Sequence, residues 1–594
     1  VLAVRLPTDR ARLNQVERWK LDRHPFEVAS AIRTSYAQAG PEAIAAVPGE
    51  VERLKWVGIY PQRQGGDAFM VRIKVPAGRL TAAQARRIGE VADRYAVGPE
   101  EHSLWGNRYC DLTTRQDVQM HWIRIGDVPT IWDLLDEVGI TTVQACGDSA
   151  RNVLSCPVSG IDHDEAIDAS VTARAISEFF TGNREYANLP RKFKLSVTGC
   201  REDCAQAEIN DIGMWPSRLP DGEVGFNLLV GGGLSDGPRM ASDIDVFVAP
   251  DEAVEICRAV AHVFAELGNR ENRGTARMRY LVQALGPEQF RAELAARTSL
   301  ELRPAGEELT VRYRGDHVGV HAQHGRGLSY VGCSVTVGRL AGRDMIEVAR
   351  LAETYGDGEV RLSTDQNFVL TGVPDDRVDD LLAEDLMQHH SPFPAPFERG
   401  AVACTGSEFC RFAIVETKAR AVEWAHALDA RYRDRLRHSQ DAGDAGDDSG
   451  SGDNRGASLD GTDKTDDSDR HDTIVRLHFS GCPASCAQPQ IADIGFRGET
   501  AHIGDEIVEA VDIGLGGSLG SDAAFGDWIA GAVPVGDVVG SVGGVIERYV
   551  AERRAGERFH EWARRTPAGE LRSSLAAGAA SNGGFHRFDK ELES

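Results

Sequence analysis

Positive charge is in short supply in this chain, and lysine most of all. Against 91 acidic residues stand 66 basic ones, a formal net charge of −25 over 594 residues, and only eight of the 66 are lysine. So acidic a composition argues against nucleic acid or an anionic membrane as partner, because both reward clustered positive charge. It suits a salty cytoplasm, where screening weakens self-repulsion, although an arginine-rich codon bias would leave the same mark. Long apolar runs are missing too. Nothing approaches the roughly 18 apolar residues of a membrane span, and the N-terminus lacks the succession of regions that makes a signal peptide. A cytoplasmic location is expected. Cysteine is sparse: eleven are too few for a secreted disulfide framework, yet eight of them pair off at 146/156, 200/204, 404/410 and 482/486. In a reducing compartment such pairs point to metal or redox chemistry.

The chain exceeds what one core organises, so two to four domains are expected, and it is internally repeated. "DAFMVRIKVPAGRLTAAQARRIGEVADRYA" (67–96) with "CDLTTRQDVQMHWI" (110–123) returns as "GLSYVGCSVTVGRLAGRDMIEVARLAETYG" (327–356) with "VRLSTDQNFVLTGV" (360–373). Each copy reads as an alternating strand, a helix and a second strand. The helices carry apolar residues at Ile88, Val91, Ala92 and Tyr95 or at Met345, Val348, Leu351 and Tyr355, with Thr81 as N-cap of the first. Two half-sheets of this kind predict one shared pseudo-symmetric domain.

A second repeat carries the cysteines. "TGCREDCAQAEINDIG" (198–213) matches "SGCPASCAQPQIADIG" (480–495), "ACGDSARN" (145–152) matches "ACTGSEFC" (403–410), and "VGGGLSDG" (230–237) matches "GLGGSLGSD" (514–522). The offset between halves grows from 250 at Arg115 and Asp365 to 282 at Cys200 and Cys482, and the 32 extra residues are accounted for by an Asp-, Gly- and Ser-rich stretch at 438–472, expected to be a disordered surface loop. In this pairing the second half has four thiols, Cys404, Cys410, Cys482 and Cys486. The first half has Cys146, Cys200 and Cys204, with Asn152 where Cys410 stands. A cubane cluster takes four thiolates, which assigns it to the second half. Cations run the other way: Arg115 faces Asp365, Arg151 faces Phe409, Lys192 faces Ile474 and Lys194 faces Arg476. One copy would hold electrons and the other an anion. The rival reading of the four thiols is structural zinc in a binding protein, but the five-residue spacing of Cys404 and Cys410 exceeds the usual two to four. The glycine loops lack the dinucleotide pattern G-x-G-x-x-G, and His389 and His390 read as surface residues.

The words "ACTGSEFCRFAIVETK", "SGCPASCAQPQIADIG", "TTRQ", "RNVLSCPVSG" and "NLPRKFKLSVTGC" resemble the sirohaem-dependent nitrite and sulfite reductases over roughly residues 50 to 565. That resemblance implies an α/β (α+β) fold of two pseudo-symmetric halves, a shared ferredoxin-like mixed-sheet domain and two reductase domains. The expected parts are a helical arm (1–50), half-domains at 51–125 and 306–375, reductase domains at 126–305 and 376–569, and a polar tail (570–594). It implies that Cys404, Cys410, Cys482 and Cys486 bind a 4Fe-4S cluster, with Cys486 bridging to the sirohaem iron. Arg115, Arg151, Lys192 and Lys194 would hold the oxyanion and deliver protons. Tyr60 and Cys146 match positions covalently linked in some members, while Cys156, Cys200 and Cys204 read as small packing residues. The expected activity is assimilatory six-electron reduction by a monomer using reduced ferredoxin. Lys194 in K-x-K favours sulfite to sulfide, whereas "AEIND" after Cys204 favours the alternative, nitrite to ammonium.

Overall fold

The computed structural model describes residues 9–438 and 474–581. The acidic insert at 438–472 lies outside them, except for His438, which ends the helix Lys418–His438.

The two half-sheets exchange strands. In the first, Ile59–Pro61, Phe69–Ile73, Val118–Ile123 and Gly106–Leu112 lie in that order, and the edge is completed by Arg339–Ala341 from the second half, antiparallel to Tyr109–Asp111. In the second, Gly319–Ala322, Leu328–Cys333, Phe368–Pro374 and Glu359–Leu362 are completed by Arg79–Thr81 from the first half. Each donated strand leads into the predicted helix, Ala82–Tyr95 or Gly342–Tyr355, and Thr81 caps the former by accepting from the Gln84 amide. The helices cross at Gly89, where a Cβ would lie 2.7 Å from the Gly342 carbonyl oxygen. Val71, Ile88 and Met120 share one core with Val331, Val348 and Phe368. Neither half-sheet can bury its apolar face or pair its edge without the other.

Two boundaries move. Helix Val128–Asp136, expected in the first reductase domain, buries Val128, Ile131 and Leu135 in the shared core, and Leu381, Leu386 and Met387 do the same beyond 375. Within the described part of the arm, helices run from Gln15–Asp22 to Pro41–Ala45 and bury Val28, Ile32 and Ile44 in that core. The tail expected from 570 is, as far as Ser581, the helix Ala568–Ser581, with Leu571 and Leu575 buried. It packs on helix Val538–Glu552 through glycines: a Cβ on Gly578 would sit 2.0 Å from the Gly540 carbonyl oxygen. Its Ala, Gly and Ser content is a close-packing surface.

Each reductase domain is built on five strands in the same order, and in the first the short strand Glu307–Glu308 adds a sixth beside Ile212–Arg218. Ala150–Ser155, Phe193–Val197 and Ile212–Arg218 run parallel, then Val224–Val230 and Ser242–Val248 return antiparallel. In the second half Ala401–Ala403, Leu477–Ser480, Ile494–Ile503, Glu506–Leu515 and Asp527–Pro534 repeat the pattern. Glutamines mark the pseudo-two-fold axis. Gln116 donates to the Leu362 carbonyl at 2.7 Å and Gln366 to the Leu112 carbonyl at 2.9 Å. Gln206 and Gln488, both left-handed at φ 60° and 61°, bond to each other at 2.9 Å.

These contacts correct the pairing of the halves. Gln116 accepts from the Ser155 amide where Gln366 accepts from the Ala403 amide, so Ser155 is the mate of Ala403. The counterpart of Cys404 is therefore Cys156 rather than Cys146, and that of Arg151 is Arg399 rather than Phe409. The similar words at 145 and 403 fall on different parts of the fold.

Candidate active site

Strands Ala401–Ala403 and Leu477–Ser480 are parallel neighbours, so their carboxyl ends open on one side, and Cys404 and Cys482 follow directly. Helix Gly406–Phe409 carries the chain to Cys410, and a turn places Cys486. All four are free thiols. They feel one another: burial with the charges of Cys486 and Cys410 pushes Cys404 up to about 12 and Cys482 up to about 11, although the Gly481 amide donates to the Cys404 Sγ at 3.2 Å. The first half grips this loop. Arg339 joins Asp111 at 2.8 Å to Glu408 at 2.7 Å, Tyr109 donates to Glu408 at 2.9 Å, and His121 stacks on Phe409 with centroids 3.9 Å apart. Beyond Cys410, Phe412 is 80% exposed.

The predicted cations gather opposite. Arg115 stands in the turn between Gly106–Leu112 and Val118–Ile123, held by Asn210 at 2.9 Å and the Asn152 carbonyl at 2.6 Å, with its buried Nε unpartnered. Arg151 donates to the Gly147 carbonyl at 3.0 Å. Lys192 and Lys194 lie at the start of the neighbouring parallel strand. Arg72, which sequence reasoning passed over, joins them from strand Phe69–Ile73 and donates to the Cys146 Sγ at 3.1 Å. Its only signal was a charge within the strand word "FMVRIKV".

Among the described residues, none of Arg72, Arg115, Arg151, Lys192 and Lys194 forms an ion pair with a carboxylate. The consequence is mutual repulsion in a desolvated space. Burial, then Arg277 and Arg151, lowers Lys192 to about 7. Burial, Arg115 and Lys192 hold Lys194 well below the usual lysine range, and Arg115 falls to about 10. The nearby carboxyl of Asp117 is itself so buried that it rises to about 6. Lys192 also feels the Cys486 charge, and Thr114 donates to the Cys486 carbonyl at 3.0 Å, so cations and thiols face a common space.

At the pseudo-symmetric position most of this charge has been cancelled, with Arg476 kept in the place of Lys194 and donating to the Arg314 carbonyl at 2.6 Å. The mate of Arg115 is Asp365, ion-paired with Arg314, and Arg399 in the place of Arg151 is paired with Asp316 at 2.7 Å. Ile474 replaces Lys192 and Gly332 replaces Arg72. Tyr60 and Cys146 are brought together, the hydroxyl hydrogen-bonded with the thiol and pushed by burial above the usual tyrosine range. Cys156, Cys200 and Cys204 also converge, with all three sulfurs within 4.8 Å of one another.

Residues 60–101, 103–138 and 321–385 match the family model of the nitrite/sulfite reductase ferredoxin-like half domain, and 146–302 and 463–579 match that of the nitrite and sulphite reductase 4Fe-4S domain. The chain belongs to the nitrite and sulfite reductase family. It is similar to the assimilatory ferredoxin-dependent nitrite reductase of Haloferax mediterranei, 40% identical over 92% of this chain and 90% of that one. It is also similar to the ferredoxin–nitrite reductase of Synechococcus elongatus, 37% identical over 92% and 98%. The solved structure of the Mycobacterium tuberculosis NirA protein superimposes with a TM-score of 0.82 at 31% identity, covering 94% of this chain and 98% of that one. As a member of this family the protein is an oxidoreductase that works with sirohaem and a 4Fe-4S cluster. No helix among the described residues is long and apolar enough to cross a membrane.

Proposed function

We propose that the protein reduces nitrite to ammonium with electrons from reduced ferredoxin, as a cytoplasmic monomer. The observation that carries this reading is the set of five cations without a carboxylate partner among the described residues, beside four free cysteines. The donor set fits the family's cofactors. Cys404, Cys410, Cys482 and Cys486 are four unbridged thiols that would hold a cubane, and Cys486 is the exposed one and the one whose charge Lys192 feels. A desolvated cation cluster without carboxylate partners suits the carboxylates of sirohaem and a small oxyanion. Bound sirohaem and cluster supply the electrons and an open coordination position.

The protein's own share is positioning and protons. Arg115, fixed by Asn210 and the Asn152 carbonyl, and Arg151, fixed by the Gly147 carbonyl, present guanidinium donors with little freedom to lose. Lys192, lowered to about 7, holds a proton at Nζ that it can both give and regain near neutral pH. Lys194, repelled by Arg115 and Lys192, gains most when an anion arrives. Tyr60 and Cys146 close the wall beside Arg72. Exposed Phe412 next to Cys410 offers a donor protein an apolar contact close to the cluster.

Nitrite is preferred because relatives at 40% and 37% identity are named for it; the sulfite preference drawn from Lys194 becomes the second reading. Steady-state kinetics of the holoenzyme with reduced ferredoxin in high salt, comparing kcat/KM for the two anions, separates them. A larger value for nitrite is expected. A larger value for sulfite would replace the proposal with the second reading, and no turnover of either would overturn both.

A further inference from the structure

The half that lacks the cluster has kept thiols at three of the four cluster positions. With Ser155 as the mate of Ala403, Cys156 corresponds to Cys404, and the matching words place Cys200 and Cys204 at Cys482 and Cys486. Counting on from Cys156 as Cys410 lies from Cys404 reaches Asp162, so the fourth thiol is missing. The remaining three have closed up. Among the described residues they are the only group of three or more metal-binding side chains whose ligand atoms all lie within 4.8 Å of one another. The Cys200 and Cys204 sulfurs are 3.1 Å apart.

That spacing is too tight for a cubane's ligands, and one ion would part the Cys200 and Cys204 sulfurs by about 0.7 Å. Zinc–sulfur bonds of about 2.3 Å put tetrahedral sulfurs about 3.8 Å apart, and a Zn–N bond of about 2.0 Å puts nitrogen about 3.5 Å from sulfur. His317 is the nitrogen donor beside them: its Nε2 is 3.4 Å from the Cys156 Sγ but outside the group of three sulfurs, so its ring would turn toward them to bind, and its Nδ1 faces the Tyr330 hydroxyl at 3.4 Å, the kind of outer partner that orients a ligating imidazole. All four candidate ligands are buried, each cysteine 2% exposed and His317 7%. The three-residue spacing of Cys200 and Cys204 lies in the zinc range that Cys404 and Cys410 exceed.

We propose that Cys156, Cys200, Cys204 and His317 form a structural zinc site. Binding releases the thiol protons to solvent and changes no oxidation state. The ion would tie the loops after strands Ala150–Ser155 and Phe193–Val197 to the segment just before Gly319–Ala322, thereby joining the first reductase domain to the second half. The retired cluster position thus becomes a staple.

The test is metal analysis of the holoenzyme purified from zinc-containing medium, with Cys156→Ala and His317→Ala alongside. The expected result is about one zinc per chain in addition to iron, at least tenfold less in Cys156→Ala, with iron content unchanged. Should the variants fail to fold, wild type still decides: titration of thiols with a mercurial should release zinc to a chromogenic chelator, and cobalt exchanged for it should show thiolate-to-cobalt charge-transfer absorption. Iron as the only metal in wild type, a disulfide between any two of the three cysteines by peptide mass, or undiminished zinc in a folded Cys156→Ala would each overturn the proposal.

Discussion

Lys192→Gln separates function from folding at the anion site. The charged lysine is disfavoured by burial and by repulsion from Arg277 and Arg151, which the Cys486 charge only partly offsets, and it makes no ion pair among the described residues. Its fall from 10.5 to about 7 corresponds to on the order of 5 kcal/mol against the charged form, at about 1.4 kcal/mol per unit. Against an oxyanion the same charge is favourable, and a charge-assisted hydrogen bond is worth about 1.5–3 kcal/mol. The expected outcome is therefore a kcat/KM for nitrite lower by roughly 10- to 100-fold, with sirohaem and iron content unchanged and a melting temperature in substrate-free enzyme no lower than wild type. The pH dependence has a definite sign. Between about 7 and 10.5 the unfolded chain still holds the Lys192 proton while the folded chain does not, so the penalty is complete below 7 and fades as pH rises. The variant's advantage in melting temperature should be largest near pH 7 and vanish toward pH 10. Kinetics and thermal melts across that range check both halves. A variant that melts several degrees lower at pH 7, by a margin independent of pH, would refute the argument and make Lys192 a structural residue.

Two further substitutions test how the halves hold the site. Arg339→Met leaves Asp111 buried without its main partner and frees Glu408, which lies between Cys404 and Cys410. A loss of about 3–5 kcal/mol is expected, with an altered cluster signal in electron paramagnetic resonance; an unchanged melt would show that Lys418 and His121 suffice for Asp111. Gly89→Ala pushes a methyl group against the Gly342 backbone and should cost about 1–3 kcal/mol without changing kcat per folded molecule. A neutral thermal melt would mean that the crossing helices can move apart.

The amino-acid sequence by itself determined the duplication, the alternating strands and amphipathic helices of each half-sheet, the four cysteines proposed to hold the cluster and the scarce lysines of "RKFK". These are local properties: a repeated word, a periodicity, or a residue type whose chemistry has few alternatives. Of the eight lysines, those at 20, 74 and 418 are buried and those at 192 and 194 line the site, so scarcity itself was a signal. Only the tertiary structure decided which cysteine matches which. Cys146 and Cys404 share a sequence word, but strand pairing and the Gln116 and Gln366 hydrogen bonds put Cys156 in register with Cys404. It likewise revealed Arg72 among the cations, the exchange of edge strands, and the helix at Ala568–Ser581. Most of all, it showed which charges are free. Asp365 meets Arg314, and Asp316 meets Arg399, from distant points in the chain, whereas Arg115 and Arg151 meet no carboxylate among the described residues. Neutralisation depends on contacts remote in sequence, and no local pattern encodes them.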